Sequence, residues 1–209
     1  MAGITRRFFC GAAAAIAGLM MLVDVKPAAA DAPEWAVDTA KSSIAFTGRQ
    51  MGVPSKGRFK SFNTKVRFDP SDLAASAVEV IVDAASADAG NADIDKELKQ
   101  PKWFDVARFP TVLFATTAFR AKGQETDGKG NYEATARLTI RDVTDDVVLL
   151  FRIEIGADPA DAGQLVARVT GKLTISRTKF GVGRDEWRDT KIVGDEVDLD
   201  IDVMARRKK

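Results

Sequence analysis

A chain of 209 residues, 45% of them apolar, can form one domain of ordinary size with a substantial core. Lys and Arg (31) nearly cancel Asp and Glu (30), so the basic excess that a nucleic-acid partner requires is missing. There is no histidine, and the single cysteine, Cys10, lies in a segment read below as removable. Without them the chain has no histidine-based catalytic triad, thiol nucleophile, disulfide or thiolate metal site. The sequence therefore predicts a protein that is not an enzyme, with no metal site and no required cofactor.

Residues 1–30 read as an export address. Arg6 and Arg7 precede an apolar run from Phe8 to Val23, and Ala28-Ala29-Ala30 supplies the small residues of a cleavage site. Thr5-Arg6-Arg7-Phe8-Phe9 also fits a twin-arginine signal, the alternative being a general-secretion signal that happens to carry two arginines. Either route predicts a mature protein in the periplasm that begins near Asp31, is close to neutral, and keeps no membrane span. The domain expected is 31–209.

From Glu34 onward the apolar residues alternate with period two. Ile44 and Phe46 share a face, followed by Val66 with Phe68, the set Val78, Val80 and Val82, and Val112 with Phe114. Tyr132, Leu138 and Ile140 oppose Glu133, Arg137 and Arg141, which places the two arginines on the wet side. Longer apolar faces run over Val147 to Ile155 and over Leu165 to Ile175. Val197, Leu199, Ile201 and Val203 alternate with Asp198, Asp200 and Asp202. About eight such half-wet strands predict an all-β fold, an antiparallel barrel that is closed or nearly so.

One segment breaks the pattern. Ala92, Ile94, Asp95 and Leu98 have helical spacing, Asn91 can cap the start and Pro101 ends the run. This predicts a short helix over Asn91–Gln100, near one barrel mouth. Asp93, Asp95 and Glu97 suit a helix start through its dipole and lack the density of a calcium loop.

Several stretches resemble the YceI-like family. They include Glu34-Trp35-Ala36-Val37-Asp38, Gly57-Arg58-Phe59 with Phe62, Val66-Arg67-Phe68-Asp69-Pro70 and Trp103-Phe104-Asp105. Phe109-Pro110, Leu138-Thr139-Ile140-Arg141-Asp142, Ser176-Arg177-Thr178-Lys179-Phe180-Gly181 and Val193-Gly194-Asp195 continue the match in order. The resemblance spans about Trp35 to Ala205. It implies a lipocalin-like barrel whose long apolar interior binds or carries a polyisoprenoid or related lipid, such as an isoprenoid quinone, and such proteins are often homodimers. The chain departs from the family in lacking histidine around Arg49-Gln50-Met51-Gly52 and near Lys96-Glu97, and in having Asp142 where glycine is common.

The candidate tunnel wall is aromatic: Phe46, Phe59, Phe62, Phe68, Trp103, Phe104, Phe109, Phe114, Phe151, Phe180 and Trp187. Trp103, Phe104, Phe180 and Trp187 fall outside regular strands and are expected at a mouth. Arg49, Arg58, Arg177, Lys179 and Arg184 are the head-group candidates, since arginine pairs well with phosphate oxygens. Two readings of other classes stay open at this point. One is a barrel enzyme, an isomerase or hydrolase, working through Asp, Tyr or Lys. The other is a stress-linked interaction protein.

Overall fold

A computed structural model describes residues 31–123, 126 and 128–209. The expected export segment with Cys10, and Asp127 of one turn, lie outside the described residues. The strands are β1 (Glu34–Val37), β2 (Ser43–Gln50), β3 (Val53–Phe59), β4 (Phe62–Arg67), β5 (Ala77–Asp83) and β6 (Ala87–Asp88). One helix, α1 (Ala92–Leu98), separates them from β7 (Thr111–Ala121), β8 (Lys129–Ile140), β9 (Val143–Asp158), β10 (Asp161–Ser176) and β11 (Glu196–Lys208).

Every pairing in the sheet is antiparallel, and the ring runs β1-β4-β5-β7-β8-β9-β10-β11 and back to β1. Closure comes from Ala36 opposite Arg206 and Val37 opposite Ala205, which joins the two ends of the folded chain. The other three segments extend the ring at one end. β2 prolongs β1 along β11, β3 prolongs β4 along β2, and β6 prolongs β5 along β3. The result is an eight-stranded barrel in which three strands bend at one level. The bend is stapled by Lys60 and Ser61 amides donating to Ser86 and by the Asp83 amide donating to the Ser61 carbonyl. The eight-stranded ring has no free edge, while the extension at one end finishes at the short strand β6.

The period-two pattern sets the inside and the outside. Asp198, Asp200 and Asp202 stand on the outer face, where Arg168 binds both carboxylate oxygens of Asp202 at 3.1 and 2.7 Å. Inside, an aromatic cluster closes one end. Phe68 meets Phe119, Tyr132 and Phe151 at ring distances of 5.4, 5.4 and 6.1 Å. Trp35 joins the cluster and donates its indole N–H to the Phe68 carbonyl at 3.0 Å.

Alternation fails at Arg141. It lies in the β8–β9 turn at φ +58° and is buried. The segment after α1 folds over it, so that its guanidinium donates to the Pro101 and Trp103 carbonyls and stands 3.5 Å from the buried Asp105 carboxylate.

Carboxylates are stabilised in their charged form at several places. The amide of Ala160 and the Arg206 guanidinium hold Asp158 below its ordinary value of 3.8, and Ser71 does the same for Asp69. Burial alone would raise Asp195, but the hydroxyls of Thr178 and Ser176 outweigh it and hold the group low. A carboxylate whose folded pKa is depressed contributes stability above its unfolded pKa and loses it as pH falls through the folded one. With no histidine in the chain, the thermal midpoint should stay level between about pH 5 and 8 and fall below about pH 4. A midpoint series across pH checks this; a step near pH 6 would contradict it.

Candidate functional site

The barrel interior is a cavity of about 520 Å³. Its wall is built from the inward side chains of nearly every strand, for example Ile44, Val66, Val80, Phe114, Leu149, Val169, Leu199 and Ile201. Branched aliphatic residues such as Val80, Leu149, Val169 and Ile201 are only half-buried although they point inward, because they face open space and not a packed core. On β11 the lined stretch runs from Val197 to Ala205, about 27 Å of strand at about 3.4 Å per residue. The cavity is therefore long and narrow.

The two ends differ. At one, the lining residues Trp35, Phe68, Ile153, Ala167 and Ala205 are buried, and the aromatic cluster forms a floor. At the other, the lining includes exposed Arg49, Gln50, Asp93 and Ile94, so the cavity opens there between α1 and the β2–β3 hairpin. The turn of that hairpin is made by Met51 and Gly52, both with positive φ, as a two-residue hairpin connection with the sheet's own twist requires. The Asn91 side chain caps α1 by accepting from the amides of Asp93 and Ile94 at 3.0 and 3.2 Å. This orients the helix so that Asp93, Ile94, Glu97 and Leu98 reach the mouth.

Two irregular segments complete the rim. Residues 99–110 and 177–195 meet where the Gly183 and Arg184 amides donate to the Lys102 carbonyl at 2.9 and 2.8 Å. There the Trp103 and Trp187 rings meet at 5.8 Å, tilted by 47°. Arg177 holds the second segment from inside. It is 3% exposed, and its guanidinium makes five bonds to the carbonyls of Gly194, Val182, Gly183, Trp187 and Val193. Burial pushes its pKa down, opposed by Asp195.

Of the expected aromatics, Phe46, Phe59, Phe62, Phe68, Trp103, Phe104, Phe114, Phe151 and Trp187 line the cavity. Phe109 does not line it; its ring packs under Arg108 and Arg141. Phe180 does not either. It is 1% exposed and fills a core cluster with Leu138, Ile140, Leu173 and Val182 beside the mouth.

Among the cationic candidates, Arg49 and Arg177 reach the lining. Arg58 stands 3.7 Å from Asp88, Lys179 3.2 Å from Asp145 and Arg184 3.8 Å from Asp142, away from the lining. Val169, Ile201 and Phe119 also line the wall; inward alternation was the signal for the first two, while Phe119 comes into phase only through the register break between Thr116 and Ala118. One hydroxyl on the wall is satisfied by neighbouring backbone. The Thr116 hydroxyl, at a break in register of β7, accepts from the Val78 amide at 2.8 Å and donates to its carbonyl.

Gly57 sets the position of one wall ring. A Cβ there would overlap the Phe46 ring and lie 2.8 Å from the Asp88 carbonyl oxygen. Gly57→Ala should force Phe46 toward the bore and cost about 1–3 kcal/mol. A denaturation curve and a ligand-retention measurement on the variant check both effects.

A closed antiparallel barrel with one blind, apolar bore and a helix at its mouth is the architecture of a lipocalin-like binding protein. The YceI-like domain matches residues 35–205, and the chain belongs to that family. A UPF0312 protein of Vibrio cholerae serotype O1 is 31% identical over 168 residues, covering 79% of this chain and 85% of the relative. Among solved structures, BcnA of Burkholderia cenocepacia is 32% identical with a TM-score of 0.70, covering 80% of this chain and 98% of BcnA. A domain from Saccharophagus degradans, described as polyisoprenoid binding and implicated in plant cell wall breakdown, shares the fold at 12% identity. Its TM-score is 0.61, with coverage of 82% of this chain and 97% of the domain.

Proposed function

We propose that this protein is exported to the periplasm and there binds or carries a long-chain polyisoprenoid lipid, without transforming it. The observation that carries the reading is the bore itself: about 520 Å³, open at one end, floored by aromatics and lined by branched aliphatic and aromatic side chains. Such a space suits a flexible hydrocarbon chain. Burial of its surface contributes roughly 25 cal/mol per Å², and no polar group along the chain has to be matched. The description of the Saccharophagus degradans domain as polyisoprenoid binding supports the same ligand class here. The export pattern of residues 1–30 supports a periplasmic site of action.

The experiment is organic extraction of protein purified from cells without detergent, followed by mass spectrometry. One prenyl lipid per chain is the expected result. Protein that carries no lipid, and takes none up from a total lipid extract, would overturn the reading.

A further inference from the structure

Seven large apolar side chains among the described residues are exposed, and four of them stand at the mouth. Met51 (78% exposed) and Val53 (66%) are at the tip of the β2–β3 hairpin, with Ile192 (41%) beside them and Ile94 (37%) on α1. The chain itself fixes this placement. Gln50 and Ser55 line the bore, so Met51-Gly52-Val53-Pro54 between them form its lip. All four lip residues are exposed and uncharged. The Met51 amide donates to the Ile192 carbonyl at 2.7 Å, which holds Ile192 against the tip. A Cβ at Gly52 would meet no atom within 4 Å, so the tip stands uncovered. Single exposed apolar residues are ordinary, but an apolar lip at the opening of a cavity marks a contact surface.

Charge decides what the surface contacts. Arg49 and Lys56 flank the tip on β2 and β3, Lys191 precedes Ile192, and Arg188 lies just before it in the same segment. Lys56, Arg188 and Lys191 are exposed, and their side chains make no ion pair among the described residues. The nearby carboxylates are engaged: Asp198 pairs with Arg49 at 3.5 Å, and Asp189 accepts from the Lys191 amide at 2.9 Å. Asp93 and Glu97 belong to α1, on the other side of the opening. An apolar tip among free lysines is unlike the core of a protein–protein contact, where lysine is depleted. It matches an anionic bilayer, in which apolar side chains enter the head-group boundary and long cations reach the phosphates.

We propose that the protein docks mouth-first on a bilayer bearing anionic phospholipid. Met51 and Val53 enter the head-group boundary, and Lys56, Arg188 and Lys191 lie on the phosphates. The proposal goes beyond the ligand reading, because it assigns the surface through which the bore meets a membrane.

The test is flotation of the purified protein with vesicles that contain no isoprenoid. Vesicles of phosphatidylethanolamine with phosphatidylglycerol should carry at least about fivefold more protein than vesicles of phosphatidylcholine, an advantage that high salt reduces. Met51→Asn with Val53→Thr keeps the charge and suits the local backbone, and should lower binding to the anionic vesicles about five- to tenfold. Val148→Thr with Leu150→Thr removes similar exposed apolar surface from the barrel wall and should leave binding unchanged. Equal binding to both kinds of vesicle, or none to either, would overturn the proposal. So would full binding after the Met51 and Val53 changes, or the same loss in both pairs of variants. A dimer in solution that Met51→Asn with Val53→Thr dissociates would also overturn it, since a second copy would then cover the tip. The comparison between vesicles uses the unaltered protein and stands whatever the stability of the variants. Because the vesicles hold no isoprenoid, failure here leaves the ligand reading untouched.

Discussion

Arg177→Met is expected to destabilise the protein by about 3–5 kcal/mol, a fall in Tm of roughly 10 °C for a chain of this length. The guanidinium is the common donor to five carbonyls drawn from Val182, Gly183, Trp187, Val193 and Gly194. Those carbonyls belong to the irregular segment before β11, which has few ladder bonds of its own. Methionine fills similar space but leaves the oxygens unsatisfied in a place water hardly reaches. Lysine keeps the charge with fewer donors and no planar fork, so Arg177→Lys should lose nearly as much. A contrast makes the effect specific. Arg168 also binds bidentately, to Asp202, but its side chain is 60% exposed, so Arg168→Met should cost under about 1 kcal/mol. Denaturant curves on the three variants decide; equal small losses would mean that Arg177 is not the clasp of the rim.

Val169→Trp is expected to abolish ligand retention, lowering co-purified lipid by about tenfold or more while Tm moves by only a few degrees. Val169 lies on β10 between Ile153 and Val203 and lines the bore. An indole there occupies space that in the folded barrel is open, so it competes with the ligand and has little packed structure to displace. The same change at Val148, which is 48% exposed on the outer face of the neighbouring strand, should leave retention intact. Lipid content per chain, measured beside Tm for both variants, separates a filled bore from a misfolded barrel. Full lipid content in Val169→Trp would place the ligand elsewhere.

The barrel wall was legible in the sequence because one physical rule governs it. Val197, Leu199, Ile201 and Val203 alternate with aspartates, and all four line the cavity as the alternation requires. The helix was equally plain, since Asn91 caps it and Pro101 follows it. What could not be read depends on contacts between distant parts of the chain. Arg141 was expected on the wet face with Arg137, but the segment around Trp103 closes over it and turns it into a buried anchor. Arg177 was a head-group candidate in the sequence, and nothing local shows that five carbonyls converge on it. Phe180 shares its irregular segment with Trp187, yet one ring packs into the core and the other lines the mouth. Alternation cannot distinguish them, because neither lies in a strand. The bends that divide three strands into segments also lack a period-two signature; they follow from Ser61 and Ser86 bonding across neighbouring strands.

The central claim, that the bore is a lipid site, is tested most directly by diffraction from protein purified without detergent. The account predicts one elongated, unbranched or methyl-branched run of electron density from the floor at Phe68 to the rim at Trp103, in contact with Val169, Leu199 and Ile201. A bore filled by ordered water, or closed by inward collapse of those side chains, would contradict it.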